Sequence, residues 1–460
     1  MRPILVVGTS SDAGKTSVVM ALCRIFSDLG WRVAPFKAQN VSNNSCVTLD
    51  GREISRAQYF QAQAARVEAS HLFNPVLLKS HGSGGVHVMV NGLPYKNQAI
   101  ADYFEEIEAI KGDVKNAFTT LVDAYDVVIA EGAGSPVELN LLAKDLSNTF
   151  IAKTFKPRII LVADIERGGV FASIYGTLAL LAPEIRENVV GVIINKFRGD
   201  RRFFNDGEAI ITQQFGVPVL GVLPFLPLNI DMEDSQSLQN YQQRRGHIKI
   251  KLAVIATPRL SNYTDLDVLM ADEEIEVTLI HQWQSLEGFD MVLLAGSKSV
   301  ISDLRWLKEN GLFAEILRFQ KSIFGICGGY QMLCETLVDN HAQEASEPSI
   351  EQGFALIADT ATYFPTKTLK RGIYRVFDEF DVEGYEIHCG QLAKYPLYYQ
   401  SGRITGTHIH GIFDNNSLRT AYFRKIRPHY LGFDYAQYRE HAIHRFTNMV
   451  RENLDLSVLL

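Results

Sequence analysis

A glycine-rich segment near the start of the chain constrains the fold more than any other feature. Residues 8–16 read Gly-Thr-Ser-Ser-Asp-Ala-Gly-Lys-Thr and directly follow the apolar run from Ile4 to Val7. A glycine-rich turn between a strand and a helix directs backbone N–H groups at phosphate oxygens, and the positive end of the helix dipole adds attraction. The pattern predicts a P-loop, and with it a parallel sheet covered by helices.

The side chains of this segment match the chemistry of nucleotide binding. Lys15 would reach the β- and γ-phosphates of ATP, and the Thr16 hydroxyl would ligate Mg²⁺. Asp12 has two interpretations: a contact to the metal or the substrate, or a helix N-cap. The backbone that would cradle the phosphates is that of Gly8, Thr9 and Gly14.

Polar side chains follow three later apolar runs. Ligands of open α/β sheets lie outside the carboxyl ends of the strands. Glu131, after the run from Val127 to Ala130, is therefore a candidate Mg²⁺ ligand, with an ordinary turn carboxylate as the alternative. Arg167 suits a phosphate or a carboxylate, and Asn195 stands where related nucleotide-binding folds read the adenine edge.

A second motif, Gly325-Ile326-Cys327-Gly328-Gly329-Tyr330-Gln331, follows another short apolar run. Glycines on both sides of Cys327 are what a sharp strand-to-helix turn requires, because bulky neighbours would collide there. A thiol at such a turn, with an imidazole beside it, is a nucleophile. We expect His410 to be that imidazole, and backbone N–H groups at Gly296 and Gly328 to stabilise an oxyanion.

His408 and His410 are separated by one residue, so alternation along a strand would place both on one face. A metal pair is conceivable there, but no cysteine or carboxylate cluster accompanies them,. The catalytic interpretation of His410 is therefore preferred to a metal site.

The order of apolar runs predicts two α/β domains. At 460 residues the chain exceeds the size at which a single hydrophobic core stops growing,. A polar stretch with few apolar anchors separates two series of strands, so we expect an ATP-binding domain at residues 1–235, a linker at 236–247 and a glutaminase domain at 248–460. The strands of the two series are expected at 4–7, 127–130, 159–162, 189–194 and 217–222, then at 248–256, 275–280, 291–295 and 322–326.

The bulk composition excludes several classes of protein. A net charge of −7 and a pI near 6.0 provide no general attraction to nucleic acid,. No apolar stretch is long enough for a membrane span,. Five cysteines, an odd number without a Cys-x-x-Cys pair, argue against a disulfide framework and a zinc ribbon,. We expect a cytoplasmic protein, with the choice between monomer and homo-oligomer left open.

Together the motifs resemble those of the cobyric acid synthase family, the glutamine-hydrolysing amidotransferases of cobalamin biosynthesis, over essentially the whole chain. The resemblance implies a P-loop domain like dethiobiotin synthetase, followed by an α/β domain like the class I glutamine amidotransferases. The six segments that carry it besides the motifs above are Pro35 to Asn40, Asn74 to Lys79, Glu131 to Pro136, Asp164 to Ala172, Ile194 to Asp200 and Gly384 to His388.

This resemblance implies the reaction and its partners. The b, d, e and g carboxylates of adenosylcobyrinic acid a,c-diamide would become amides, with L-glutamine as the nitrogen donor, ATP and Mg²⁺ as cofactors and acyl phosphates as intermediates. Lys37 would help to neutralise the transferred phosphoryl group. Gln39, Asn40 and Arg167 would contact the corrinoid.

Four alternatives stay open at this stage, and one of them is a glutamine-dependent ligase that amidates another polycarboxylate. The sister enzyme that amidates the a and c side chains carries a Gly-Pro-Asp pattern where this chain has Ala-Gln-Asn, so Gln39 and Asn40 favour the cobyric acid enzyme. A ParA-like ATPase switch would carry a second lysine at the position of Thr9. A binding protein with an inactive glutaminase would not be expected to retain both Cys327 and His410.

The chain departs from ordinary class I glutamine amidotransferases after the histidine. Those enzymes have a glutamate two residues later, whereas this chain has Ile412. Some other acceptor must orient His410. The sequence offers Glu386 and His388 as hypotheses for that role.

Overall fold

The P-loop lies in the middle of a six-stranded sheet in the computed structural model, which describes residues 1–81, 85–228, 250–345 and 347–460. The strands of the first 228 residues are β1 (Ile4–Gly8), β2 (Val33–Phe36), β3 (Gln39–Val41), β4 (Ser45–Val47), β5 (Glu53–Ser55), β6 (Val76–His81), β7 (Gly85–Val90), β8 (Leu93–Ala99), β9 (Val127–Glu131), β10 (Arg158–Asp164), β11 (Val189–Phe197) and β12 (Val219–Pro224). The helices are α1 (Lys15–Asp28), α2 (Arg56–Ala65), α3 (Ile100–Glu105), α4 (Ile107–Ala124), α5 (Ile151–Phe155), α6 (Val170–Leu180), α7 (Pro183–Arg186) and α8 (Asn205–Phe215).

The strand order of the first sheet is β12-β11-β10-β1-β9-β2, and all of its pairs are parallel. Its central strand is buried on both faces: Leu5 and Val7 belong to one hydrophobic core, and Ile4 and Val6 to the other. Burial on both faces is the reason the strands read as unbroken apolar runs. The segment between β2 and β9 forms a smaller sheet of order β3-β6-β7-β8 and an antiparallel pair of β4 and β5.

A second, mostly parallel sheet begins at residue 250. The strands of this part are β13 (Ile250–Ile255), β14 (Ile275–Ile280), β15 (Met291–Leu294), β16 (Ser322–Ile326), β17 (Cys334–Asp339), β18 (Ser349–Gln352), β19 (Ile357–Val376), β20 (Phe380–Leu392), β21 (Tyr398–Ser401) and β22 (Ile404–Thr407). The helices are α9 (Asp267–Ala271), α10 (Val300–Glu309), α11 (Leu312–Arg318), α12 (Gly328–Met332), α13 (Asn416–Ile426) and α14 (Tyr435–Asn453).

The order of this sheet is β14-β13-β15-β16-β22-β21, parallel except for the antiparallel edge strand β21. A third sheet of order β18-β17-β19-β20 carries the long hairpin of β19 and β20. The predicted fold class, two α/β units with parallel sheets, is confirmed. The predicted linker at 236–247 lies outside the described residues, so the domain division stays a prediction.

The end of the chain returns to the first sheet. Helix α14 packs against α1, where the buried guanidinium of Arg24 forms an ion pair with Glu440 and donates to the Ala64 carbonyl at 2.6 Å. Just after α14, the Asp455 N–H donates to the Leu220 carbonyl at 2.7 Å. The end of the second half of the chain thus packs against the first half. Among the described residues, no helix is long and apolar enough to cross a membrane.

Because the chain packs on β12 after α14, we expect that Gly221 on β12 does not tolerate a side chain. A Cβ atom there would lie 2.0 Å from the carbonyl oxygen of Asn453, which belongs to the backbone and cannot move aside as a side-chain tip does. Gly221→Ala should therefore destabilise the protein by about 1–3 kcal/mol, the usual cost of overpacking. Thermal unfolding followed by circular dichroism measures this as a lower Tm.

Gly176→Ala is the matched control, since a Cβ at Gly176 in α6 would meet nothing within 4 Å. Alanine within a helix is favoured over glycine, so this variant should unfold at the same temperature or slightly higher. Equal Tm values for wild type and Gly221→Ala would contradict the close packing of residues 453–455 on β12.

Candidate functional site

The phosphate loop connects β1 to α1, as predicted. Its lysine folds back over the loop: Lys15 Nζ donates to the carbonyl oxygens of Ser10 at 2.9 Å and Gly134 at 3.0 Å. A Cβ atom at Gly8 would lie 2.8 Å from the Ser10 carbonyl oxygen, a backbone atom of the same loop, which explains the glycine. Gly14 has φ of 96° and is the N-cap of α1. The N-cap interpretation of Asp12 is therefore wrong.

The carboxylate of Glu131 lies beside this loop at the carboxyl end of β9 and is buried. Its Oε1 accepts from Thr16 Oγ1 at 2.8 Å and from Lys37 Nζ at 2.8 Å, and its Oε2 accepts from Gln61 Nε2 at 2.5 Å. The structure thus brings together the two predicted Mg²⁺ ligands, Thr16 and Glu131, with the predicted phosphate-neutralising Lys37.

These residues fit Mg²⁺, which proteins usually hold through one or two carboxylates together with substrate phosphates and water. Glu131 supplies one carboxylate and Thr16 one hydroxyl, next to the loop that would hold the phosphates. Within the described ranges there is no cluster of three or more His, Cys, Asp or Glu side chains that could hold a metal by themselves. The donor set of Glu131 and Thr16 therefore suits a magnesium nucleotide.

Two further predicted residues lie against the loop. Asn195 Nδ2, at the end of β11, donates to the Ala13 carbonyl at 2.9 Å, so in this structure the amide holds the loop. Arg167 approaches the Asp12 carboxylate at 3.5 Å, and both side chains are exposed. The nucleotide and substrate roles of these residues remain predictions.

Gln39 and Asn40 lie on β3, close to the buried end of β9. The Gln39 side chain accepts from Tyr103 Oη at 2.6 Å. Asn40 Nδ2 donates to Gln58 Oε1 at 3.2 Å, and Gln58 in turn lies within 3.5 Å of Glu131. Of the predicted substrate residues, Asn40 is therefore connected to the carboxylate of the phosphate site through Gln58 of α2.

Cys327 stands at a sharp turn between β16 and the short helix α12. Its φ of 51° and ψ of −108° are sterically unfavourable for a residue other than glycine, a strain often found at functional positions,. A Cβ at Gly329 would lie 2.0 Å from the Leu294 carbonyl oxygen, so the glycine is needed for the turn to pack on β15. The elbow geometry expected from the sequence is confirmed.

His410 follows β22 and is held by a residue that the sequence did not single out. Its Nδ1 lies 2.6 Å from Asp265 Oδ2, and Asp265 Oδ1 accepts from the Gly411 N–H at 2.7 Å. Burial lowers the pKa of His410, but the negative charges of Asp265 and Cys327 outweigh burial and raise that pKa to about 10. The imidazole is thus fixed in orientation and favoured in its charged form beside the thiol.

The hypothesis that Glu386 or His388 orients His410 requires correction. The backbone of Tyr385 is hydrogen bonded to that of His410, and the two rings stack at 5.1 Å. Because neighbouring residues of a strand point to opposite faces, Glu386 points away. Its Oε2 lies 3.3 Å from His388 Nε2, and His388 stacks on His408 at 3.9 Å.

The predicted oxyanion residues lie close to this pair. A Cβ at Gly296 would come within 3.4 Å of His410 Cε1, and a Cβ at Gly328 within 2.8 Å of the Ser297 N–H nitrogen. The turn after β15 and the start of α12 therefore meet beside Cys327 and His410. Their role as oxyanion donors remains a prediction that this proximity supports.

A cavity at Cys327 is lined by both halves of the chain. Asn43 and Lys79 come from the first half, and the second half contributes Gln331, Lys298, Glu344 and Lys367 among others. Burial, with repulsion from Lys367 and Lys298, outweighs the attraction of Glu53 and lowers the pKa of Lys79 to about 7. The thiol thus opens into a space that the two halves enclose together.

Both halves of the chain match known protein families, and its relatives match it over nearly its whole length. Residues 4–238 match the CobQ/CobB/MinD/ParA nucleotide binding domain, and residues 251–418 match the CobB/CobQ-like glutamine amidotransferase domain. A cobyric acid synthase of Acinetobacter baylyi is 48% identical over 100% of this chain and 99% of its own length. A cobyric acid synthase of Geobacillus thermodenitrificans is 42% identical over 92% and 90%. A probable cobyric acid synthase of Methanothermobacter thermautotrophicus is 40% identical over 99% and 98%.

The geometry predicts that Asp265 controls the reactivity of Cys327. In Asp265→Asn the acceptor charge is lost, so the imidazolium of His410 is less stable and its ring accepts the Cys327 proton less readily,. Alkylation of Cys327 by iodoacetamide at pH 7, followed by mass spectrometry, should slow by about tenfold or more. Glu386→Gln is the control and should react at the wild-type rate. A normal rate for Asp265→Asn, or slowing in Glu386→Gln alone, would return the orienting role to Glu386.

Proposed function

The chain belongs to the cobyric acid synthase family of amide-forming enzymes, and from this membership we propose that it amidates the b, d, e and g carboxylates of adenosylcobyrinic acid a,c-diamide. Glutamine would supply the nitrogen and ATP the driving force. The observation that supports the proposal is the position of Cys327, which lines a cavity shared with Asn43 and Lys79 of the P-loop half and lies beside the pair of His410 and Asp265.

In the glutaminase half, Cys327 Sγ attacks the side-chain amide carbon of glutamine. The C–N bond breaks, ammonia leaves with a proton from His410 Nε2, and a thioester remains on Cys327. Water, deprotonated by the same imidazole, then hydrolyses the thioester to glutamate and the free thiol. Asp265 keeps the His410 ring in the orientation that both steps need, and Gly296 and Gly328 would donate N–H groups to the oxyanion.

In the synthase half, a corrinoid carboxylate oxygen attacks the γ-phosphorus of ATP. ADP leaves and an acyl phosphate forms, which ammonia converts to the amide with release of phosphate. Activation is needed because the oxygen of a free carboxylate is too poor a leaving group for ammonia to displace it. Lys15 and Lys37 are suited to neutralise the charge of the transferred phosphoryl group. Lys15 lies over the phosphate loop, and Lys37 is paired with Glu131 beside that loop,. Mg²⁺ would be held by Thr16 and Glu131 and would neutralise further phosphate charge.

Recognition of the substrates is assigned to residues near these two centres. The backbone of Gly8, Thr9 and Gly14 would hold the ATP phosphates, with Asn195 and Asp12 beside them. Gln39, Asn40 and Arg167 would contact the corrinoid, which carries amide and carboxylate groups that such side chains bind. The names of the relatives favour this reaction over that of the a,c-diamide enzyme.

The Cys327→Ser variant separates the two half-reactions. It should lose glutamine-dependent amidation and glutaminase activity but retain amidation with a high concentration of ammonium, because phosphoryl activation does not involve the thiol. Mass spectrometry of the corrinoid product counts the carboxylates converted. A folded Cys327→Ser enzyme that is inactive with both nitrogen sources would contradict the assignment of Cys327 to nitrogen release alone.

Lys15→Ala should have the reverse effect. Removing the cation at the phosphate loop abolishes amidation from either nitrogen source, whereas glutamine hydrolysis without ATP continues. Coupled assays of ADP and glutamate formation measure the two activities separately. ATP turnover at the wild-type rate in Lys15→Ala would show that the loop does not hold the reacting phosphates.

A further inference from the structure

The loop after β3 contacts the segment that holds His410. The Ser45 N–H, from the synthase half, donates to Asn262 Oδ1 at 3.1 Å. In the opposite direction, the Tyr263 N–H donates to Asn44 Oδ1 at 3.2 Å. Asn44, Ser45, Asn262 and Tyr263 are all buried, so these hydrogen bonds are shielded from water. The contact lies just two residues before Asp265.

The Ser45 N–H determines which way the Asn262 amide points. A backbone N–H only donates, so the carbonyl oxygen of the amide must face it, and the NH₂ group then faces the other way. That group lies 3.4 Å from His410 Nε2. The synthase half therefore favours the orientation in which the Asn262 NH₂ group faces the imidazole.

This contact favours the neutral form of His410. A neutral imidazole whose Nδ1–H donates to Asp265 can accept a hydrogen bond at Nε2, whereas an imidazolium has a proton there and cannot. Asp265 favours the imidazolium, and the Asn262 N–H opposes it. Nε2 is also the atom that must exchange a proton with Cys327, so the Asn262 N–H competes for the lone pair that the reaction uses.

We propose that Asn262 is a positioning residue through which the synthase half restrains the glutaminase. While Ser45 is docked, the amide N–H occupies His410 Nε2 and slows proton transfer from Cys327. When the loop after β3 shifts together with Ser45 at the start of β4, the amide is free to rotate and the restraint is lost. The inference rests on the proposed function, in which Cys327 and His410 hydrolyse glutamine.

The loop is connected to the phosphate site by a chain of side chains. Gln58 Nε2 lies 3.5 Å from Glu131 Oε2, and Gln58 Oε1 accepts from Asn40 Nδ2 at 3.2 Å. Asn40 precedes Ser45 by a few residues of the same segment. The charge around Glu131 changes when a magnesium nucleotide binds, and these hydrogen bonds offer a path by which that change reaches Ser45. The element with two states is the Asn262 amide, which both sites bias.

Other titratable and charged groups around His410 also affect the charge of its imidazole, and the Asn262 variants described below leave these groups unchanged. The titratable groups that face it are Asp265, Cys327, His408 and Tyr385. A cavity of about 330 Å³ on its other side is lined by the charged groups Arg56, Arg371, Arg439, Glu383, Glu440 and Asp414.

Asn262→Gly removes the side-chain amide. Glycine adopts the backbone conformation of this position without strain, because Asn262 has φ of 51°,. Glutaminase activity without ATP and corrinoid should rise roughly fivefold in kcat, as expected for the loss of one competing hydrogen bond. Addition of MgATP and corrinoid a,c-diamide should stimulate the variant much less than the wild type. The alkaline limb of the pH profile of kcat/KM should move to higher pH, because the imidazolium is no longer opposed.

Two further variants complete the test. Asn91→Gly makes the same substitution at a turn residue with φ of 49° and should leave both activities unchanged. Asn262→Asp keeps the shape of the side chain but replaces the N–H with an acceptor, so it should also move the alkaline limb to higher pH. This variant guards against a folding defect of the glycine variant.

Specific results would overturn the inference. Lower basal glutaminase in both Asn262 variants with wild-type stimulation would show that Asn262 merely supports His410. An unmoved alkaline limb would show that the amide does not affect the charge of the imidazole. Failure of the proposed function is a separate result: the wild type would not hydrolyse glutamine, or Cys327→Ser would hydrolyse it normally.

Discussion

The hydrogen bond between Asp265 and His410 is the interaction on which the chemistry of the second half depends. It joins residues 145 positions apart in the sequence, and both side chains are almost completely buried. Burying a charge is costly unless its remaining hydrogen-bonding sites are satisfied. Here the second carboxylate oxygen accepts from the Gly411 N–H, so the same aspartate fixes the ring and the turn that follows it. The strained elbow at Cys327 then has an imidazole of defined orientation beside it.

The interface between the halves is built from polar and charged groups in a region with little access to water. Glu53 of the first half is fully buried and pairs with Lys79 of its own half and with Lys367 of the other at 2.7 Å. The attraction of both lysines outweighs burial and holds the pKa of Glu53 well below its usual range. Replacing such pairs with apolar contacts of the same size is often neutral or stabilising, whereas removing one partner leaves a buried charge unpaired and is costly. In this structure the Ser45 hydroxyl donates to Glu53 Oε1 at 2.8 Å, and the Ser45 N–H contacts Asn262.

Much of this organisation could be predicted from the sequence, and the remainder could not for a physical reason. The apolar runs in β1, β9, β10 and β15 are buried on both faces, so these runs could be recognised from the sequence without structural context,. The two glycine-rich turns are local as well, because the backbone geometry at Gly14 and Cys327 is determined by nearby residues. The same holds for Glu131, which follows its strand directly.

Asp265, Asn262 and the hairpin of β19 and β20 depend on contacts between distant parts of the chain. Asp265 lies in a short turn beside another acidic residue, Asp267, and nothing local distinguishes the two. The Glu386 hypothesis was wrong because strand alternation alone does not reveal which face meets His410. The hairpin alternates polar and apolar residues over only part of its length, since several of its side chains contact the other half of the molecule or solvent.

The central claim is that one chain releases ammonia at Cys327 and uses it at the phosphate site. The most direct measurement supplies the enzyme with MgATP, a corrinoid a,c-diamide, glutamine labelled with heavy nitrogen in its amide and an excess of unlabelled ammonium. Mass spectrometry of the product then reports the origin of each new amide. The account predicts heavy nitrogen in the new corrinoid amides despite the excess of ammonium. Amides that carry only the unlabelled nitrogen, or a corrinoid that gains no amide while glutamine is hydrolysed, would contradict it.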